Sequence, residues 1–381
     1  MPEAVVDFSV GLTDPASFPV EELTVAAAEA IRGVGADFVF YPGPLGHAGL
    51  RRVLAARESK REGVEVDPDH LALTNGSMQA VTLVAQALME APGDVIVTEE
   101  LTYSGTIAAY KGLGARLVGI PLDDRGMRVD VLEEKLELLE KQGTPPRFIY
   151  TLPTYQNPTG TVMPLERRRA LLETARRFDI LVVEDNCYGD VHFEGEVPPS
   201  LYALDTTGTV IYLCSLSKIF AAGLRMGYLI AEPGLLGRIT ARRFDLGNSV
   251  LGASICAAFL ENRLWIHVER HNAALREKRG TLLTALTEHA TDLCHWKAPA
   301  GGLFLWLRLP EHIDLELLDE LSAERGVGYA RGSAFHIEGV SLPAIRLAFG
   351  YPSTAEISRG VAILAGCIRD ACGSQLQQAS L

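Results

Sequence analysis

The chain has no surplus of positive charge: 35 lysines and arginines stand against 48 aspartates and glutamates, a formal net charge of -13. Nucleic acid and anionic membrane surfaces are bound through basic patches, so neither is expected as a partner. No stretch is long and apolar enough to span a bilayer, and Met1-Pro2-Glu3-Ala4 does not read as a signal peptide, so the expected compartment is cytoplasmic. The six cysteines, Cys187, Cys214, Cys256, Cys294, Cys367 and Cys372, are scattered without a CxxC pair, and the nine histidines show no metal-ligand spacing. No metal site is expected. The cysteines read as small buried apolar residues, and His47, which follows Gly46, reads as structural. There is no internal repeat and no low-complexity linker, only a polar tail, Gly373 to Leu381, expected to be mobile.

What the sequence does contain is 381 residues with 48% hydrophobic content, enough to bury a large core and more in keeping with two domains than one. Strand and helix patterns alternate from about Leu71 to Leu229. Strands are expected at Val95 to Thr98, Leu117 to Ile120, Phe148 to Leu152, Ile180 to Glu184 and Val210 to Cys214, with an amphipathic helix over Gln79 to Glu90. This alternation predicts an α/β fold with a mostly parallel sheet between helices. A long polar helix, Trp265 to His289, then leads to a second unit in which Gly302 to Arg308 and Ile345 to Phe349 read as strands of a smaller sheet.

Lys218 ends the run Val210-Ile211-Tyr212-Leu213-Cys214-Ser215-Leu216-Ser217-Lys218, with Arg225 seven residues later. Desolvation lowers a lysine pKa, and a neutral amine attacks an aldehyde. Alone, the segment reads more readily as a surface loop lysine, since that is where most lysines sit. Three other segments change that reading. Phe148-Ile149-Tyr150-Thr151-Leu152 breaks into Pro153-Thr154-Tyr155-Gln156-Asn157-Pro158-Thr159-Gly160. Ile180 to Val183 ends in Glu184-Asp185-Asn186-Cys187-Tyr188. Leu71-Ala72-Leu73-Thr74-Asn75 passes through Gly76-Ser77-Met78 into a helix. In open α/β sheets, ligands bind outside the carboxyl ends of strands, so one pocket can collect all four.

Pyridoxal phosphate chemistry needs this set: a lysine for the aldehyde through a Schiff base, a carboxylate for the pyridine nitrogen, and donors for the phenolic oxygen and the phosphate. Lys218 fits the first role and Asp185 the second, with Asn157 and Tyr188 toward the phenolic oxygen. The phosphate is expected on the amides of Gly76, Ser77 and Met78 at a helix start, with Arg225, Ser215 and Ser217 completing the cradle.

On these motifs, together with Tyr41-x4-Gly46-x3-Leu50-Arg51, Gly223-Leu224-Arg225 and Arg346-Leu347, the chain resembles the fold-type I pyridoxal-phosphate-dependent aminotransferases of class I/II, in the branch of 2-aminoadipate and aromatic aminotransferases. The likeness runs from about Phe8 to the last helix. It implies a large domain, 42–264, with a seven-stranded-type sheet, and a smaller α+β domain formed by 1–41 and 265–381. It implies that Tyr103 stacks on the cofactor ring, that Arg346 grips the substrate α-carboxylate together with Asn157 and the backbone at Gly11, and that Tyr41 reaches the phosphate in a neighbouring subunit, making a homodimer with shared sites. The implied reaction moves an amino group from an L-amino acid to a 2-oxo acid, with 2-oxoglutarate as acceptor and Lys218 as general acid and base. Other pyridoxal phosphate chemistry on the same fold, such as a C–S lyase, a decarboxylase or an oxidative deaminase, is the alternative, and a non-catalytic sensor a weaker one. Three departures from the family pattern stand out: a short N-terminal segment before Phe8, Val10-Gly11 where two glycines are common, and Met78 where glutamine is frequent.

Overall fold

The computed structural model describes residues 6–378. The Met1-Pro2-Glu3-Ala4 segment and the last three residues of the polar tail lie outside the described residues.

Seven strands form the main sheet: β1 (Leu71–Asn75), β2 (Val95–Glu99), β3 (Arg116–Ile120), β4 (Phe148–Thr151), β5 (Leu181–Asp185), β6 (Val210–Ser215) and β7 (Met226–Ile230). Their order is β1-β7-β6-β5-β4-β2-β3. All neighbours pair in parallel except β7, which is antiparallel to both β1 and β6. Strands buried on both faces read as continuous apolar runs, and every residue of β2, β4, β6 and β7 is buried. In β2, β4 and β5 the side chains alternate between two cores. Ile96, Phe148, Tyr150 and Val183 enter one, while Val95, Val97, Ile149 and Val182 enter the other. Each fully buried valine or isoleucine contributes roughly 1.5–3 kcal/mol, so the sheet is held from both sides.

Helix α1 (Val20–Val34) and helix α2 (Ala48–Glu62) precede the sheet, and α3 (Ser77–Leu88) follows β1. The helix expected over Gln79 to Glu90 therefore starts two residues earlier, directly after Gly76, whose positive φ of 78° turns the chain out of β1. Helix α4 (Val250–His289) begins well before the expected Trp265, because the Ser249 side chain caps it by accepting from the Gly252 amide at 3.1 Å. Helix α1 and the last helix, α5 (Thr354–Gln378), pack along α4. The helix continues through the start of the tail expected to be mobile, where no proline interrupts it.

The smaller sheet has strands β8 (His295–Trp296), β9 (Phe304–Arg308), β10 (Ala330–Arg331) and β11 (Ala344–Ala348), all antiparallel, in the order β8-β9-β11-β10. β9 starts at Phe304 rather than Gly302 because Gly302 has a φ of 75°, outside the strand region. The chain start joins this unit: Val6–Asp7 pairs in parallel with Val327–Gly328, and Phe8 O accepts from the Ala348 amide at 2.8 Å. All six cysteines are buried and unpaired. Among the described residues, no helix is long and apolar enough to cross a membrane.

Candidate active site

Each parallel strand of the main sheet ends on the same edge, and the loops leaving that edge surround a cleft of about 410 Å³. The cleft is lined by Gly11, Ser77, Met78, Tyr103, Asn157, Asp185, Tyr188, Ser215, Ser217, Lys218, Arg225 and Arg346. The antiparallel β7 contributes from its N-terminal end, which is why Arg225, just before Met226, reaches the same edge. Gly76 stands behind Arg225: a Cβ there would lie 2.4 Å from Arg225 Nη2. Tyr41 is the one expected site residue that the fold leaves away from the cleft, 77% exposed. A slightly larger cavity, about 440 Å³, lies beyond the Thr159–Val162 loop against Trp296 and Trp306, and gathers none of the expected residues.

Lys218 Nζ donates to Gly11 O at 2.8 Å. Burial, reinforced by Arg346 and Arg225 and opposed by Cys187, holds its ammonium below the usual lysine value. Gly11 packs tightly under Phe304: a Cβ there would lie 2.9 Å from the ring, which would have to shift. Arg346, on β11, donates from Nη2 to Ser9 O at 2.6 Å and from Nη1 to Asn157 Oδ1 at 2.9 Å. Its guanidinium lies 4.2 Å from the Phe304 ring centroid and 4.6 Å from that of Phe335, a cation–π sandwich that fixes its plane. Asn157 Nδ2 and Tyr188 Oη stand 3.4 Å apart, and Tyr188 packs edge-on against Phe304.

Asp185 closes β5. Its Oδ2 accepts from the Tyr150 hydroxyl at 2.8 Å, while Oδ1 is buried and takes no hydrogen bond. Burial pushes this carboxyl above its ordinary value, with Cys187 and Tyr150 pulling it back. The Tyr103 and Tyr188 phenols are also pushed up, in both cases mainly by burial. On the opposite wall, the Ser217 amide and hydroxyl both lie against Ser215 Oγ, at 3.2 and 2.9 Å. Arg225 leans over the start of α3, its Nη2 3.5 Å from Asn75 O.

These residues fit pyridoxal phosphate. The orphaned Asp185 Oδ1 is an acceptor awaiting a cationic N–H, and the start of α3 beside Ser215, Ser217 and Arg225 offers an anion donors and positive potential. Sequence reasoning missed Tyr150, Thr106, Ser9, Phe304 and Phe335. A tyrosine inside a fully buried strand was the available signal for Tyr150, since a buried phenol hydroxyl needs a partner.

A half-buried lysine amine, an unpaired carboxylate oxygen and a serine–arginine cradle at a helix start share one edge of the sheet, an arrangement that suits pyridoxal phosphate. Residues 3–364 match the family described as aminotransferase class I and II. An aromatic-amino-acid aminotransferase of Thermococcus litoralis is 36% identical over 96% of this chain and 88% of its own length. The multiple substrate aminotransferase of Thermococcus profundus superposes with a TM-score of 0.92 at 35% identity, covering 98% of this chain and 93% of that one. An α-aminoadipate aminotransferase of Thermus thermophilus, solved with N-(5'-phosphopyridoxyl)-L-leucine, gives a TM-score of 0.89 at 30% identity over 97% and 94%. The chain belongs to the class I and II aminotransferases. It is a pyridoxal-phosphate-dependent transaminase.

Proposed function

We propose that the enzyme moves the amino group of an L-amino acid to a 2-oxo acid, with 2-oxoglutarate as acceptor, and that Lys218, Asp185 and Tyr103 act on the cofactor while Arg346 binds the substrate carboxylate. The observation that carries this reading is the pair of contacts on one short stretch of backbone: Ser9 O on Arg346 and Gly11 O on Lys218. Two residues of chain span at most about 7 Å, and Ser9 and Val10 form a bend. A carboxylate held at Arg346 therefore has its α-carbon next to the Lys218 amine. When bound, the cofactor supplies an electron sink for the charge left at that carbon. Lys218 Nζ takes the α-proton and returns it, a role that its lowered pKa favours. Asp185 keeps the ring nitrogen protonated. Asn157 and Tyr188 hold the phenolic oxygen, and the amides at Gly76, Ser77 and Met78, with Ser215, Ser217 and Arg225, hold the phosphate.

Val10, Leu12, Leu152 and Phe304 line the same cleft, and Arg225 and Arg346 are its only lining arginines. That lining supports a donor with an apolar or aromatic side chain, in keeping with the name of the Thermococcus litoralis relative. The enzyme is further proposed to be a cytoplasmic homodimer with shared sites, divided into a large domain, 42–264, and a small one, 1–41 with 265–381. The support for the dimer is an exposed apolar group at Val39, Phe40, Tyr41, Phe244 and Leu246, with Phe244 92% exposed.

The test follows the visible absorption of the holoenzyme through a panel of amino acids. An amino acid should bleach the cofactor band, and 2-oxoglutarate should restore it. Conversion that yields product without any oxo acid would overturn the transamination reading, and an unchanged Lys218→Ala enzyme would overturn the role of the lysine. For the dimer, an active monomer whose phosphate affinity survives Tyr41→Phe would refute shared sites.

A further inference from the structure

Asp185 has two carboxylate oxygens in unequal surroundings. Oδ2 is engaged by Tyr150 at 2.8 Å, and Oδ1 is buried and unpartnered in a residue that lines the cleft. The Tyr150 hydroxyl also lies 3.1 Å from Thr106 Oγ1. A phenol has one proton, and Asp185, as a carboxylate, can only accept. The Tyr150 proton is therefore committed to Asp185, and Thr106 must donate to the Tyr150 oxygen. The result is a directed chain, Thr106 to Tyr150 to Asp185, running from the helix after Tyr103 through β4 to β5. All three residues are buried, so none of these bonds is exchanged for water.

We infer that Tyr150 is the positioning residue for Asp185: it fixes the carboxylate plane and decides which oxygen is left for the cofactor's ring nitrogen, with Thr106 holding the Tyr150 hydroxyl in direction. This rests on the assignment of Asp185 to that nitrogen. No cation of the chain does the same work. Lys218 is held on Gly11 O, Arg346 on Ser9 O and Asn157, and Arg225 on Ala222 O. The titratable groups facing Asp185 are Tyr150 from β4, Tyr103 from the loop after β2, Tyr110 from the following helix, and Cys187 and Tyr188 from its own loop. All are neutral donors or bystanders; Cys187 also bears on the carboxyl through its thiol and its backbone N–H, while Tyr150 is the one whose hydroxyl stands 2.8 Å from Oδ2.

The charged carboxylate is the form that binds a protonated nitrogen, and a donated hydrogen bond favours that form. Tyr150→Phe keeps the ring and removes the donor. Apoenzyme carrying it should bind pyridoxal phosphate roughly tenfold more weakly, the size of one hydrogen bond to a charged group. On acidification, affinity should begin to fall about one pH unit earlier than in wild type. Turnover should drop with little change in KM. Thr106→Val should show the same pattern more weakly, and Thr106→Ser, which keeps the hydroxyl, should restore it. Tyr110→Phe is the control, because the Tyr110 hydroxyl is buried without a partner and its ring meets Tyr150 edge-on at 5.6 Å.

The measurement is cofactor dissociation constant against pH for these four variants and Asp185→Asn, with thermal unfolding of each to confirm the fold. If Tyr150→Phe does not fold, the Thr106 pair decides. A folded Tyr150→Phe apoenzyme with wild-type affinity and an unmoved acid limb overturns the inference, as does an equal effect of Tyr110→Phe. Asp185→Asn separates the two levels: if it binds cofactor as wild type does, the assignment of Asp185 itself fails, whereas a defect in Asp185→Asn alone leaves that assignment standing and removes only Tyr150.

Discussion

Arg346 shows how a single side chain would be prepared for the carboxylate-binding role proposed for it. Its guanidinium is pressed between Phe304 and Phe335 and tied to Asn157 and to Ser9 O, so little freedom remains to be lost when a carboxylate arrives. Lysine keeps the charge but loses the planar fork and the stacking. Arg346→Lys should raise KM for the amino donor roughly 10- to 100-fold, the range of one or two charge-assisted hydrogen bonds, with a smaller effect on kcat. Steady-state kinetics with donor varied at saturating 2-oxoglutarate measures this, and an unchanged KM would remove Arg346 from the substrate.

At the scale of elements, the turn from β1 into α3 depends on its neighbour β7. A Cβ on Gly227 would lie 2.7 Å from both Gly76 C and Ser77 N, so the first turn of α3 sits as close to β7 as backbone allows. Gly227→Ala should push that turn outward while the apolar faces of both elements stay buried. Cofactor affinity should then fall by roughly tenfold, and because every atom the new Cβ meets is backbone, the melting temperature of the apoenzyme should fall as well. Dialysis of the holoenzyme followed by thermal unfolding separates these effects; a large loss of stability with intact affinity would contradict the account. The same antiparallel β7 delivers Arg225, in a left-handed conformation with φ 53°, to the edge where the parallel strands end.

Across the whole molecule, the sheet carries buried carboxyls outside the site. Glu99, at the end of β2, accepts from Thr151 Oγ1 at 2.5 Å and from the Leu152 amide at 2.9 Å. Burial outweighs these bonds and raises its pKa from 4.5 to about 7, and Glu184 behaves alike. A carboxyl raised in the folded state binds more protons folded than unfolded between those limits, so stability declines as pH rises from 4.5 to about 7 and levels off above. For Glu99 that interval corresponds to about 3 kcal/mol. Glu99→Gln, which keeps the acceptor and the shape, should flatten the decline and raise the melting temperature at pH 8. Thermal unfolding from pH 5 to pH 8 checks this, and an unchanged slope would refute it.

The strand runs, the alternation with helices and the polar groups at strand ends were readable because each depends on local pattern: apolar runs build strands buried on both faces, and the chain leaves each strand through its polar end. Lys218, Asp185, Asn157, Tyr188 and Arg225 were nameable in advance for the same reason, Arg346 only through the family resemblance, and all six share one cleft. Pattern did not reach the antiparallel sense of β7, since strand direction is a matter of pairing across long sequence separations. Nor did it reach the early start of α4, which one serine cap decides, or the helical start of the tail. The site's supporting contacts were equally out of reach. Thr106, Tyr150 and Asp185 come from three different elements, and Ser9 meets Arg346 only when the first and last parts of the chain close on each other. The sequence alone determined which groups carry the chemistry, because residue type sets what each can donate, accept or attack with. Only the tertiary structure decided which oxygen of Asp185 is left free, which rings stack on Arg346 and where the Lys218 amine rests, because those depend on distances between segments that no local pattern encodes.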